Sequence, residues 1–158
     1  MHDPVVSERT SEITTTSPDA TRRLGAQLAV YARRGDVICL WGELGAGKTQ
    51  LAKGFGAGLG VDATIVSPTF VLMAEYPGRL PLFHIDLYRL ADSGDATAGG
   101  LLDERQRGGV TLIEWPDRLG DALPADRLDV VIDGDADEPR TITLRPTAAH
   151  AHYLQAVA

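Results

Sequence analysis

The sequence lacks features that several classes of protein require. Its 158 residues include a single cysteine, Cys39, which excludes an intramolecular disulfide, and we expect this residue to lie in a buried strand. No apolar run approaches the length needed to cross a bilayer, and the N-terminus has no signal-peptide core. The net charge of −7 argues against tight, unaided binding to nucleic acid or to an anionic membrane. These absences together predict a cytoplasmic protein.

Lysine is also scarce, and one of the only two lysines lies in a glycine-rich motif. Residues 42–49 read Gly-Glu-Leu-Gly-Ala-Gly-Lys-Thr, which fits G-x-x-x-x-G-K-[ST], a loop whose backbone N–H groups surround the phosphates of a nucleoside triphosphate. Its glycines let the main chain approach phosphate closely, and the next helix directs its positive end at the anion. We expect Lys48 to reach the outer phosphates and the Thr49 hydroxyl to ligate Mg²⁺. A glycine-rich turn that binds nothing is the alternative.

Asparagine is absent from the whole sequence. As a family, guanine-specific GTPases usually recognise their base through an Asn-Lys-x-Asp element. This sequence cannot supply that element. The absence therefore favours ATP over GTP as the nucleotide that binds to the loop.

The pattern of apolar residues predicts one α/β domain over residues 17–146. It is flanked by a flexible N-terminal tail at residues 1–16 and by a C-terminal tail or short helix at residues 147–158. Ser17-Pro18-Asp19 is typical of a helix start, and Arg33-Arg34-Gly35 is typical of its end. Strands are predicted at residues 37–40, 70–75, 80–87, 110–115, 128–132 and 141–144. The last two strands are expected to form an antiparallel hairpin, and the glycine- and alanine-rich segment 91–100 is expected to be a loop.

A second helix is predicted at residues 49–59, directly after the phosphate loop. Its interior contains Gly54, Gly56 and Gly58, and each costs about 1 kcal/mol relative to alanine. We expect close packing on the sheet to be the reason for these glycines.

Two predicted strands end in an acidic residue that could serve a nucleotide-bound metal. His84 and Asp86 share one face because strand side chains alternate, and Glu114 ends a second apolar run. Parallel sheets gather ligands at the carboxyl ends of their strands, so both acids are expected to converge on the loop. Acids that only cap turns are the alternative, and a hydrogen-bonded core role is the expectation for His84. His150 and His152 have no other ligands nearby in sequence, which argues against a metal site there.

Four segments in this order resemble the TsaE family, the small bacterial ATPases of the tRNA threonylcarbamoyladenosine pathway. They are the phosphate loop, Ser67-Pro68-Thr69-Phe70, His84-Ile85-Asp86-Leu87-Tyr88-Arg89 and Ile113-Glu114-Trp115-Pro116. The resemblance covers roughly residues 17–146. It implies the α/β fold of a P-loop NTPase, a central and mostly parallel sheet flanked by helices.

The resemblance also implies roles for individual residues. Thr49 and Glu114 would hold Mg²⁺, and Asp86 would be an essential acid near the phosphates, so that the catalytic set is Lys48, Asp86 and Glu114. Residues 67–69 resemble a segment that senses the nucleotide state, although Pro68 alone would explain a plain turn. Trp115 resembles a position near the nucleotide, but strand alternation turns it away from Glu114, so a core or interface role stays open. The residues implied to bind the ATP phosphates are Glu43, Leu44, Gly45, Ala46, Gly47, Lys48 and Thr49.

The implied activity is ATP hydrolysis that supports formation of the threonylcarbamoyl group on the adenosine beside the anticodon in tRNA. The family's partners are TsaD and TsaB, hydrolysis is weak without them, and contact with tRNA is indirect through their complex. Residues 93–100 depart from the leucine- and glutamate-rich helix that the family usually has there. A non-catalytic nucleotide sensor and a small-molecule kinase are the alternatives, and the second would need an acceptor pocket and a lid that the sequence does not reveal.

Overall fold

The computed structural model describes residues 9–43, 47–65, 73–88, 104–134 and 138–158. The strands of these residues form one seven-stranded sheet with the order β1-β7-β6-β2-β5-β4-β3. In chain order they are β1 (Ser11–Thr15), β2 (Val37–Trp41), β3 (Met73–Tyr76), β4 (Leu82–Asp86), β5 (Val110–Glu114), β6 (Leu128–Asp133) and β7 (Arg140–Pro146).

The four central strands, β6, β2, β5 and β4, run parallel to one another. Antiparallel pairs extend the sheet on both sides, with β3 on β4, β7 on β6 and β1 on β7. The β6–β7 pair is the predicted C-terminal hairpin. This arrangement confirms the predicted α/β class, in which helices flank a sheet with a parallel centre.

Helix α1 (Pro18–Val30) begins where the sequence predicts but ends earlier. The Ser17 hydroxyl accepts a hydrogen bond from the Ala20 backbone N–H at 3.0 Å, which is the expected N-cap contact. The helix does not continue to Arg33-Arg34-Gly35, as predicted. Those residues form a turn in which the Arg33 backbone N–H donates to Asp36 Oδ2 at 2.9 Å.

Helix α2 (Lys48–Gly58) packs directly on α1, and its glycines make that contact possible. A Cβ atom at Gly54 would come within 2.6 Å of the Arg22 carbonyl carbon, and one at Gly58 would come within 2.7 Å of the Ala26 carbonyl oxygen. Both glycines therefore let the two helix backbones approach each other more closely than any side chain allows. The expectation that these two glycines serve packing on the sheet was wrong, because their neighbour is a helix.

The N-terminal segment also differs from its prediction as a flexible tail. Residues 11–15 form β1, which pairs along its length with β7. The side chains of Thr15 and Thr21 are hydrogen-bonded at 2.8 Å and connect this strand to α1. At the other end of the chain, a 3₁₀ helix (Ala148–Val157) forms, and its Tyr153 is fully buried. Two further 3₁₀ segments are Glu104–Gly108 and Pro116–Ala122, and the second is interrupted by a kink at Gly120.

The core has two parts, one on each face of the sheet. Helices α1 and α2 cover the larger part, and the smaller part includes Cys39, as the sequence predicts. Burial raises the pKa of the Cys39 thiol well above its usual range. Within the described ranges, no helix is long and apolar enough to cross a membrane.

Candidate functional site

The glycine-rich segment lies between β2 and α2, at the carboxyl end of a central parallel strand. Gly47 has a φ of +112°, a backbone conformation that glycine adopts without strain, and it directly precedes the first residue of α2. The N-terminal end of α2, with its unpaired N–H groups, therefore begins at this edge of the sheet. Leu44, Gly45 and Ala46, three of the predicted phosphate-binding residues, lie outside the described part of the chain.

Lys48 is buried at this edge, with 5% of the residue exposed. Its Nζ donates to the Gly42 carbonyl oxygen at 2.6 Å and lies 3.6 Å from the centroid of the Trp115 ring. Burial lowers the pKa of Lys48, and the nearby carboxylates, of which Glu114 acts most strongly, oppose that shift. A buried ammonium group is a strong site for an anion, because little water competes for it.

Asp86 and Glu114 are register partners in the adjacent parallel strands β4 and β5. Glu114 is also aligned with Leu40 of β2, the strand that leads into the loop. The structure therefore brings both predicted acids to the edge of the sheet where the loop begins. Asp86 is partly exposed, and its Oδ1 accepts a hydrogen bond from the Tyr88 backbone N–H at 3.0 Å.

His84 and Glu114 form a buried side-chain pair. The distance from His84 Nε2 to Glu114 Oε2 is 2.7 Å, and the exposed fractions of the two side chains are 0% and 4%. The expectation of a hydrogen-bonded core histidine is confirmed. The sequence placed His84 and Asp86 on one face but gave no sign that the histidine contacts the acid of the neighbouring strand.

Trp115 differs only in part from the position that strand alternation predicts. Its backbone is in the left-handed region, with φ 58° and ψ 51°, and among the described residues it is the only one other than glycine with a positive φ. The regular alternation therefore ends at Glu114. The indole covers Lys48 and also packs against the smaller part of the core, so the core role left open by the sequence is present as well. The ring also lies 5.0 Å from the Tyr88 ring, and the Arg118 guanidinium carbon is 5.9 Å from its centroid.

A second polar cluster lies at the opposite end of β2, and the sequence gave no indication of it. Asp36 Oδ2 accepts hydrogen bonds from Tyr153 Oη at 2.6 Å and from His152 Nε2 at 2.8 Å. The Val37 backbone N–H donates to His150 Nε2 at 3.1 Å. The two C-terminal histidines therefore anchor the last 3₁₀ helix to the sheet. Within the described ranges, no group of three or more His, Cys, Asp or Glu side chains is arranged to hold a metal ion.

Comparisons with known proteins agree with this arrangement. The family model described as "Threonylcarbamoyl adenosine biosynthesis protein TsaE" matches residues 15–142. The chain belongs to the TsaE family. A Bacillus subtilis protein named "tRNA threonylcarbamoyladenosine biosynthesis protein TsaE" is 43% identical over 131 residues, which are 82% of this chain and 81% of that protein. A Streptomyces coelicolor protein of the same name is 43% identical over 130 residues, or 78% and 88% of the two chains.

A solved structure supports the same assignment. The crystal structure of Bacillus subtilis YdiB matches with a TM-score of 0.75 and 36% identity, and the alignment covers 97% of this chain and 93% of that one. The TsaE assignment, which the sequence motifs predicted, is therefore confirmed together with the P-loop NTPase fold of the family. Among the TsaE motifs, residues 67–70 and Arg89 lie outside the described residues, as does the glycine- and alanine-rich segment 91–100.

Proposed function

We propose that this TsaE protein binds ATP with Mg²⁺ at the edge formed by β2, β4 and β5. We propose further that it hydrolyses ATP weakly and thereby supports formation of the threonylcarbamoyl group on the adenosine beside the anticodon in tRNA. The observation that carries the proposal is the convergence of buried Lys48 with the paired acids Asp86 and Glu114 at the start of α2.

The triphosphate would bind along the loop from Glu43 to Thr49 and at the N-terminus of α2. Backbone N–H groups at a helix start attract anions, and Lys48 adds a full positive charge there. The burial that lowers the pKa of Lys48 also strengthens its attraction to phosphate oxygens. The absence of asparagine supports ATP rather than GTP.

The donor set suits Mg²⁺, which is usually held by one or two carboxylates together with substrate phosphates and water. Thr49 lies in the first turn of α2, and Glu114 ends the strand next to β2. Glu114 makes one side-chain hydrogen bond within the described residues, through Oε2, which leaves Oε1 for a cation. Bound Mg²⁺ would neutralise charge that builds up on the phosphate oxygens during transfer.

The remaining chemistry would come from two side chains. Lys48 would stabilise the charge of the γ-phosphoryl group, and Asp86, partly exposed beside Glu114, would orient the attacking water. Glu114 is buried and suits the metal, whereas Asp86 is partly exposed and suits the attacking water.

The pathway role follows the family. The proposal is that the chain acts with the TsaD–TsaB complex, that its hydrolysis depends on that complex, and that it meets tRNA only through it. The net charge of −7 supports this arrangement, since an acidic protein gains little attraction to phosphate backbones.

Phosphate release with and without purified TsaD and TsaB tests the reaction. A partner-dependent increase in the rate supports the proposal. Binding of ATP with no hydrolysis in either condition would indicate a nucleotide sensor instead. ATP consumption that depends on an added metabolite would indicate a kinase.

The site itself is tested with the two lysines of the chain. Lys48→Ala should weaken ATP binding by about tenfold to a hundredfold, because a charged hydrogen bond contributes about 1.5–3 kcal/mol. Lys53→Ala, on the same helix, is the matched control and should bind ATP as the unmodified protein does. Calorimetric titration measures both, and equal affinities for the two variants would overturn the site.

A further inference from the structure

The buried hydrogen bond between His84 and Glu114 has no role in the proposed binding and hydrolysis of ATP as described so far. Desolvating a carboxylate is costly unless it accepts hydrogen bonds. In the described part of the chain, His84 Nε2 is the one side-chain donor that Glu114 has, at 2.7 Å. The position of this carboxylate therefore depends on the histidine.

The strand register explains how the two side chains meet. His84 is aligned with Leu112, and Glu114 is aligned with Asp86, so the histidine reaches its partner diagonally across β4 and β5. Such diagonal neighbours are within reach of long side chains. His84 thus approaches the carboxylate from within the sheet rather than from the loop end.

The ring nitrogens indicate which atom carries the proton. His84 Nδ1 is buried and has no hydrogen-bond partner among the described residues. A buried Nδ1 without a partner is less costly as a bare lone pair than as an N–H group. The Glu114 carboxylate can only accept a hydrogen bond, so Nε2 must donate to it. The geometry therefore favours the neutral tautomer in which Nε2–H donates to Glu114 Oε2.

Holding Glu114 also affects Lys48. The charge of Glu114 is close enough to act on Lys48, yet no ion pair within 4.0 Å joins these two described residues. A free glutamate side chain beside a buried ammonium would tend to pair with it. The hydrogen bond from His84 keeps the carboxylate apart and leaves the ammonium to its contacts with Gly42 and Trp115.

We infer that His84 is a positioning residue, which fixes the Glu114 carboxylate so that one oxygen stays available for Mg²⁺ and Lys48 stays available for phosphate. The inference rests on the proposed role of Glu114 in holding the metal. His84 itself touches neither nucleotide nor metal in this scheme. Carboxylates that bind metals are commonly oriented by such hydrogen bonds.

The test compares His84→Gln with His84→Met, two side chains of similar volume. Glutamine can place its amide N–H near the position of Nε2, whereas methionine has no donor. The readouts are the Mg²⁺ concentration for half-maximal tight ATP binding, measured by calorimetry, and the EPR spectrum of Mn²⁺ bound with ATP. Methionine should raise the required concentration about tenfold to a hundredfold, and glutamine should restore most of that loss. ATP affinity without metal should also fall in the methionine variant, because the released Glu114 carboxylate can pair with Lys48. In the glutamine variant it should stay within about twofold of the unmodified protein.

Several outcomes would overturn the inference. It fails if the methionine variant matches the unmodified protein, or if glutamine and methionine show the same loss. Should the methionine variant not fold, His84→Asn replaces it, because its shorter amide reaches only the Nδ1 position and should show the same loss.

Glu114→Gln separates this inference from the proposed function. If Glu114→Gln leaves the Mg²⁺ dependence unchanged, the metal role of Glu114 fails, and the inference fails with it. If that variant raises the Mg²⁺ requirement while His84→Met does not, the inference alone fails. In the Glu114→Gln background, adding His84→Met should change the requirement by less than about twofold, since a residue that acts through Glu114 has nothing left to position.

Discussion

The Lys48 ammonium lies against the face of Trp115, with Nζ 3.6 Å from the ring centroid. Nζ also donates a hydrogen bond to the Gly42 carbonyl oxygen. Both partners are uncharged, and a cation over an indole ring gains about 0.5–2 kcal/mol. A phosphate group is a stronger partner, so an anion that binds at the loop would compete for the ammonium and change the surroundings of the indole.

This contact predicts that the fluorescence of Trp115 reports nucleotide binding. A Trp41→Phe background leaves Trp115 as the only tryptophan. Titration with ATP and Mg²⁺ should then shift its emission, because the cation near the ring moves to the phosphates. In the same background, Lys48→Ala should lose most of the shift. An unchanged spectrum at ATP concentrations where calorimetry shows saturation would contradict the prediction.

Gly54→Ala should destabilise the protein, although helix propensity alone favours alanine by about 1 kcal/mol. The added Cβ would come within 2.6 Å of the Arg22 carbonyl carbon, and backbone atoms in a packed helix cannot easily move away. We expect a loss of about 1–3 kcal/mol in the free energy of unfolding, measured with urea. Gly108→Ala is the control, because its Cβ would have no neighbour within 4 Å. A Gly54→Ala protein as stable as this control would show that α1 and α2 can separate at low cost.

His150 should make folding stability depend on pH in the acidic range. Burial lowers the pKa of His150, the Asp36 charge opposes this shift, and its Nε2 accepts the Val37 N–H as a neutral ring. The unfolded chain, with a histidine pKa of about 6.5, therefore binds the proton more readily than the folded protein does. The contribution of the neutral His150 ring to folding stability is complete above about pH 6.5. It is lost as the pH falls towards the lower pKa of His150 in the folded protein.

His150→Gln is the matched variant for that measurement, since its amide oxygen can accept the same N–H group without titrating. The difference in unfolding free energy between the two proteins should shrink between pH 7.5 and pH 5.5, by at most about 1.4 kcal/mol per pH unit. His152, Asp36 and Tyr153 remain in both proteins, so the comparison isolates the contribution of His150. Parallel pH profiles would contradict the role of His150.

Cys39 should resist thiol reagents while the protein is folded. The side chain is fully buried in β2, and burial raises its pKa far above the range in which thiolate forms. Reaction with an aromatic disulfide reagent should therefore be at least about a hundredfold slower in buffer than in 6 M urea. A fast reaction in buffer, with an intact circular dichroism spectrum, would show that β2 opens locally.

Local sequence signals predicted much of the sheet and of the site. Ser17 marks the start of α1, and the apolar runs that end at Asp86 and Glu114 are the strands that bring these acids together. These features depend on neighbouring residues, so the sequence contains the information directly. The start of α2 at Lys48 was also predictable from local sequence, because glycine suits the positive φ of the preceding residue, Gly47.

Features that depend on distant residues were missed or misplaced. The early end of α1 is one, because Arg79 donates hydrogen bonds to the Ala29 and Ala32 carbonyl oxygens from a remote segment. The diagonal contact of His84 with Glu114 depends on register between strands, which no motif specifies. The orientation of Trp115 depends on its own positive φ value, which the alternation of strand side chains does not predict.

The strand β1 has a consequence for the solution behaviour of the protein. It covers the outer edge of β7 and leaves as the new edge a five-residue strand that includes exposed Glu12. Short edges that carry charge discourage strand-to-strand association between molecules. Removal of residues 1–15 would uncover the longer strand β7, whose free N–H and C=O groups could then pair with another chain. A truncated protein should therefore self-associate at concentrations where the full chain stays monodisperse.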